Sequence, residues 1–173
     1  MELFTIVTSV AQIIGISLGV GTSTLAVLSF FTAIKDGTID EAERRMLGVI
    51  YIVLRVAMVT ILVSTLGLTF AGYGEYGAGY FTPYIIAQYI LIAVLFLNAI
   101  LMTARLMSSK FGPAIQAGTW YLLGFGMALQ SLGLTDFTLG KFFLAYGIEL
   151  IFATLLINGV MIHLRKAQTP PAA

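Results

Sequence analysis

Two charged residues interrupt long apolar stretches of this chain and are its first candidates for chemistry. Arg55 lies in the second stretch and Glu149 in the fifth, each about eight or nine residues from one end. At about 1.5 Å per residue, Arg55 would be roughly 13 Å deep in a bilayer core of about 30 Å, and Glu149 would have a similar depth. A charge at that depth needs a partner. The pair therefore predicts either a proton, ion or substrate site near the midplane, or a buried ion pair that fixes how two helices dock.

Amide side chains within the same stretches form a second candidate group. If they turn toward the interior, they would line a polar cavity together with Glu149. The alternative is that each amide makes a hydrogen bond between helices, which contributes about 0.6–2 kcal/mol. The amide residues of this possible polar cavity are Gln12, Gln88, Gln130, Asn98 and Asn158.

Small residues recur every four positions in the first apolar stretch. Gly15 and Gly19 form one such pair, and Ser17 and Gly21 form a second. Pairs of this kind leave a groove in which another helix backbone can approach closely. They predict a helix-packing surface, either inside the molecule or on a face for self-association.

Composition excludes several classes of site. The chain has no cysteine, which removes disulfides, thiolate metal sites and cysteine nucleophiles. It has one histidine, His163, so we expect no metal site and no cofactor. A net charge of +1 provides no field that attracts nucleic acid. We also find no Ser-His-Asp set, phosphate loop or paired catalytic carboxylates, and therefore predict no catalytic residues.

Five apolar stretches must position these side chains. Apolar residues make up 59% of the chain and charged residues 10%, which is more apolar surface than a soluble domain of 173 residues can bury. We predict an all-α, polytopic integral membrane protein: one domain over residues 1–166, built as a bundle of five transmembrane helices, and a disordered cytoplasmic tail over 167–173. The predicted spans are about 3–34, 39–70, 83–105, 113–132 and 138–164.

The distribution of lysine and arginine between the links predicts the orientation. Seven basic residues lie in the first link, the third link and the tail, whereas only Lys141 lies on the opposite side. Under the positive-inside rule, the N-terminus is therefore outside and the C-terminus cytoplasmic. The second link then lies at the outer face, where its tyrosines are expected to form an interfacial aromatic belt. These are Tyr73, Tyr76, Tyr80 and Tyr84.

The first link carries signals for helix ends. Gly37 is expected to end the first helix in a left-handed conformation. Thr38 is expected to begin the second helix, with Glu41 three residues later completing a capping box. Part of this link matches a calcium-binding loop, but two carboxylate ligands are missing, so we do not expect calcium binding.

Two segments resemble a loose class of small polytopic bacterial membrane proteins of unassigned function. The first is a glycine-rich helix with its link, GISLGVGTSTLAVLSFF followed by KDGTIDEAERRMLGVIYIVLR, and the second is KFFLAYGIELIFATLLINGVMIHL. The resemblance covers about half of the chain. It implies the bacterial inner membrane as the location, and it implies no chemistry and no functional residues.

Three hypotheses for function follow from these features. The first is a non-enzymatic scaffold or subunit of a homo- or hetero-oligomeric membrane assembly, because the links are short and no catalytic set is present. The second is a small-solute or ion transporter or channel that uses Arg55 and Glu149. The third is a membrane enzyme acting on lipid or quinone, with Glu149 as acid or base. The expected partners are the lipid bilayer and other copies or subunits, and not nucleic acid.

Overall fold

The computed structural model describes residues 2–36, 40–108 and 111–166. This part of the chain folds into five α-helices and a short 3₁₀ turn, with no β-strand, which confirms the predicted all-α class. The predicted tail and the predicted cap residues Gly37 and Thr38 lie outside the described residues. The helices are α1 (Glu2–Asp36), α2 (Glu41–Tyr76), α3 (Pro83–Thr103), α4 (Gly112–Ser131) and α5 (Leu139–Lys166).

Four of the helices in the described ranges, α1, α2, α3 and α5, are long and apolar enough to cross a membrane. The exception is α4, which has 20 residues and no charge but contains a proline, four glycines and two glutamines. Helix α4 packs against α1, α3 and α5. Because a helix surrounded by protein presents only part of its surface to lipid, this more polar composition is compatible with a place in the bundle.

Helices that are consecutive in sequence run in opposite directions. Gly15 of α1 contacts Ile61 of α2, and near the other end of the pair Gly67 of α2 contacts Thr8 of α1. The bundle therefore has two ends. At the first, called here the basic end, α1, α3 and α5 finish and α2 and α4 begin; the opposite one is called the tyrosine end.

The close approach of α1 to its neighbours depends on two glycines. A Cβ atom added at Gly15 would lie 2.8 Å from Cγ2 of Ile61, and one added at Gly19 would overlap the six-membered ring of Trp120 in α4. Trp120 is fully buried. This pair of glycines therefore packs inside the bundle, which is the first of the two predicted alternatives, and does not form a face for self-association.

The second pair of small residues faces away from the bundle. Ser17 and Gly21 are exposed, and a Cβ added at Gly21 would have no neighbour within 4 Å in the described structure. The two pairs are offset by two residues. Residues two apart point to different sides of a helix, so one pair packs against neighbouring helices and the other is exposed.

The lengths of the helices are unequal. α1 and α2 have 35 and 36 residues, whereas α3 and α4 have 21 and 20. Gln116, in the second turn of α4, reaches Met58 of α2, which lies 17 residues after the start of that helix. The α1–α2 hairpin therefore extends past the α3–α4 link at the basic end, by a distance on the order of 10–20 Å.

Helix α2 begins with a capping box formed by Asp40 and Glu43. Oδ1 of Asp40 accepts from the Glu43 amide at 2.7 Å, and Oε2 of Glu43 accepts from the Asp40 amide at 3.1 Å. Two carboxylates spaced as a reciprocal box satisfy two free amides at once. At its other end α2 continues to Tyr76, and the ring of Tyr80 lies against Gly72.

The contact between Gly19 and Trp120 makes a direct prediction about stability. Replacing Gly19→Ala forces a Cβ into the Trp120 ring, and we expect a loss of about 1–3 kcal/mol in the free energy of unfolding. The matched control is Gly21→Ala, which places the same methyl group in open space and should leave stability equal or slightly higher. Thermal unfolding in detergent measures both. Equal stabilities for the two variants would contradict the observed packing of α1 on α4.

Candidate functional site

A cavity of about 560 Å³ lies between α1, α2, α3 and α4 near the basic end. Its volume is within the range of about 300–1,000 Å³ that small-molecule sites occupy. Small side chains such as Ser23 and Ala26 of α1 and Ala99 of α3 leave the space open. Most of the remaining wall is apolar and includes Phe30, Met58, Met102 and Met107.

Two arginines line this cavity, Arg55 from α2 and Arg105 from the link after α3. We call it the arginine cavity. None of the residues that line it is an aspartate or glutamate. Among the described side chains the one ion pair joins Arg45 to Glu41 at 3.1 Å, on the exposed start of α2. Arg55 and Arg105 are both exposed at this cavity, and neither makes an ion pair with a carboxylate in the described part of the chain.

The backbone holds Arg105 in an unusual conformation. Its φ is 58°, the one positive φ recorded for a non-glycine residue in the described ranges. The amide of Arg105 donates to the Met102 carbonyl at 3.1 Å, and the amide of Leu106 donates to the Leu101 carbonyl at 2.9 Å. These two bonds form a Schellman motif, in which Arg105 occupies the position that normally carries glycine.

The same motif occurs a second time in this chain with the usual residue. After α4, the Gly133 amide donates to the Gln130 carbonyl at 3.0 Å and the Leu134 amide donates to the Leu129 carbonyl at 2.9 Å, with a φ of 71° at Gly133. A side chain in this left-handed region costs about 1–2 kcal/mol relative to glycine. The arginine at the first motif is therefore retained at a cost to stability, which is common at functional positions.

The structure does not bring Arg55 and Glu149 together. Arg55 is on α2, three residues before Met58, which contacts Gln116 in the second turn of α4. Arg55 is thus near the level of the first turns of α4. Glu149 lies on α5 against α4, where a Cβ added at Gly118 would be 3.5 Å from its Oε1. Helices α2 and α5 share no substantial interface, and Glu149 does not line the arginine cavity.

The candidate amides are also distributed over separate places. Nε2 of Gln12 donates to Oγ1 of Thr65 at 3.0 Å, which joins α1 to α2. Nδ2 of Asn158 donates to the Thr154 carbonyl of its own helix at 2.9 Å. The Gln12 bond matches the alternative that an amide joins two helices, whereas this Asn158 bond is within α5. Neither residue lines the arginine cavity.

A tyrosine connects two of the other amides. Nε2 of Gln88 donates to the Tyr84 hydroxyl at 3.0 Å, and that hydroxyl donates to Oε1 of Gln130 at 2.9 Å, which joins α3 to α4. Tyr84 is 4% exposed and so does not belong to an interfacial belt, whereas Tyr73 and Tyr76 are 55% and 65% exposed. Burial lets the Tyr84 hydroxyl bridge two helices.

Beside this bridge is a second cavity of about 210 Å³, between α3, α4 and α5. Tyr84 and Gln88 line it together with Lys141, near the tyrosine end, and the rest of its wall is apolar. We call it the lysine cavity. It contains one of the residues predicted for a polar cavity, Gln88, and neither Gln12 nor Glu149.

The fifth amide, Asn98, leads to a residue that the sequence analysis did not select. Nδ2 of Asn98 donates to the Gly112 carbonyl and to Oε1 of Gln116, each at 3.0 Å. Gln116 lines the arginine cavity. It is an uncharged amide in an apolar stretch like the selected ones, so its type was a sufficient signal. The sequence places Arg105 in a predicted link. The one sequence signal for its unusual conformation is that no glycine follows α3 at the position where a helix often ends with one.

The separation of Arg55 from Glu149 makes a second prediction. The variants Arg55→Glu and Glu149→Arg should each perturb the protein, and combining them should give the sum of the two effects, because residues that share no contact are additive. Thermal stability and size in detergent measure the series. Recovery of wild-type stability in the double variant would show that the two charges are partners.

Comparison of the chain with models of known protein families, with curated proteins and with solved structures finds no match.

Proposed function

We propose that the chain is a five-span membrane protein whose N-terminus is outside and whose basic end faces the cytoplasm. Four helices of sufficient length and hydropathy support this topology. The position of α4 between α1, α3 and α5 supports a fifth span, and the excess of lysine and arginine at the basic end supports the orientation. The resemblance to small bacterial membrane proteins favours the bacterial inner membrane.

We propose further that the protein is a transporter for a small organic anion, which binds in the arginine cavity. The observation that carries this proposal is the presence of Arg55 and Arg105 in one cavity whose lining contains no carboxylate. Two cations at the edge of a low-dielectric bundle repel each other and attract an anion. Guanidinium groups also bind carboxylate or phosphate through two parallel hydrogen bonds.

The positions of the two cavities support movement of the anion through the bundle. Along α3, Leu91 lines the lysine cavity and Ala99 lines the arginine cavity, with Leu95 between them. Along α4, Leu123 lines the first cavity and Gln116 the second, on either side of Trp120. Both intervening side chains are fully buried. Two cavities at different levels of the bundle, with a layer of buried side chains between them, are compatible with alternating access.

The third prediction is that one substitution at Arg105 raises stability and lowers the affinity for the anion. Arg105→Gly relieves the left-handed strain and should raise the free energy of unfolding by about 0.5–1 kcal/mol. It also removes one charged ligand, so the affinity for hexyl phosphate should fall roughly 10–100-fold. The control is Arg45→Gln, which removes the same charge outside the cavity and should leave the affinity unchanged. Calorimetric titration and thermal unfolding measure both quantities.

Two results would contradict the transporter proposal. One is that Arg105→Gly binds hexyl phosphate as tightly as the wild type, since the cavity arginine would then have no part in binding. The other is that vesicles containing the purified chain take up labelled hexyl phosphate no faster than empty vesicles. Saturable uptake that Arg105→Gly reduces and Arg45→Gln preserves is the expected result.

One observation favours the scaffold or subunit function as a second candidate. The exposed stripe of Ser17 and Gly21 on α1 has the spacing that lets helices from two chains approach closely. If it is a subunit interface, Gly21→Leu should shift the purified protein to a smaller species on size exclusion, whereas an unchanged size would remove this candidate. The enzymatic alternative has no comparable support, because Glu149 lines neither cavity.

A further inference from the structure

We infer that the anion bound in the arginine cavity has a phosphate head and an apolar tail. This inference rests on the proposed function, because it names the class of anion that the same cavity takes. It goes beyond that function in one respect: a small hydrophilic anion would satisfy the two arginines and would leave most of the cavity wall without a partner.

The charge of the cavity indicates the head group. Arg55 and Arg105 supply two positive charges, and no described acidic side chain in the lining offsets them. A phosphate monoester carries about −1.5 to −2 at neutral pH, whereas a carboxylate carries −1. Phosphate also offers three acceptor oxygens to the two planar guanidinium groups. A phosphate monoester is therefore the head that neutralises the site.

The wall of the cavity indicates the tail. Phe30, Met58, Met102 and Met107 line it from α1, α2, α3 and the α3–α4 link, respectively. Unbranched methionine side chains adapt to flexible apolar ligands, and they are frequent on surfaces that bind varied apolar partners. About 560 Å³ is far more space than an inorganic phosphate fills, and it suits a ligand that is mostly apolar.

The position of the arginines agrees with an amphipathic ligand. Arg105 belongs to the α3–α4 link, and Arg55 is near the level of the first turns of α4. Met58 lies three residues deeper along α2 than Arg55, and Ala99 lies six residues before Arg105 along α3. Met58 and Ala99, which are part of the apolar wall, thus lie deeper in the bundle than the two arginines, and this is compatible with an amphiphile whose charged head is at the boundary.

A chain-length series tests the inference without any substitution. The full chain is placed in nanodiscs of phosphatidylcholine, and the binding of inorganic phosphate, butyl phosphate, hexyl phosphate and octyl phosphate is measured by calorimetry. We expect the affinity to rise up to about fourfold for each methylene that the cavity buries. Nanodiscs that contain the double variant Arg55→Gln, Arg105→Gln measure partitioning into lipid alone, and they should show no saturable binding.

A second variant tests the tail site while leaving the head site intact. Ala99→Phe fills the deeper, apolar part of the arginine cavity and keeps both arginines. We expect it to bind butyl phosphate nearly as well as the wild type and to lose the gain in affinity from butyl to octyl phosphate. An unchanged chain-length dependence in this variant would overturn the location of the tail.

The outcomes separate the inference from the proposed function. If inorganic phosphate binds as tightly as octyl phosphate, the tail inference fails and the anion transporter remains. If no anion in the series binds more tightly to the wild type than to the double variant, the proposed function fails as well. If phosphatidic acid in the nanodisc competes with octyl phosphate, the ligand is a membrane lipid; octyl phosphate binding without such competition supports a free amphiphile of the same chemistry.

Discussion

The contact between Trp120 and Gly19 is the constraint on which the arrangement of the bundle depends. The chain has one tryptophan, and its ring fills the space that the missing side chain of Gly19 leaves between α1 and α4. This contact holds a helix that is less apolar than the other four against the first of them. Because close packing transmits any change of volume to its surroundings, a side chain at position 19 would displace the Trp120 ring and with it the contact between α1 and α4.

The arginine cavity begins where this close packing stops. One helical turn beyond Gly19 on α1 is Ser23, and one turn before Trp120 on α4 is Gln116. Neither fills the space that a large apolar side chain would occupy, so a cavity opens toward the basic end. Arg105 lies at the edge of this cavity in a left-handed conformation, and it carries a charge at a position where a glycine would be more stable. Core packing and the charged site are thus two consequences of the same change in side-chain size along α1 and α4.

Much of the fold was predictable from sequence, whereas most of the site was not. Long apolar stretches determine five helices, because a bilayer requires every backbone group to be bonded within its own helix. Which helices are neighbours depends on side-chain fit between segments distant in sequence. Arg55 and Glu149 therefore seemed to be a pair from their depths alone, although α2 and α5 barely meet. Arg105 was missed because a positive φ depends on the turn it completes and not on residue type.

The most direct test of this account uses Trp120 as a reporter. An alkyl phosphate with a brominated tail quenches tryptophan fluorescence only at close range, and Trp120 is fully buried, which shields it from lipid. We predict saturable quenching in the wild type, because a tail in the arginine cavity ends within about one helical turn of the ring. We predict no saturable quenching in the double variant Arg55→Gln, Arg105→Gln. Absence of quenching in the wild type, or equal quenching in both proteins, would contradict the account.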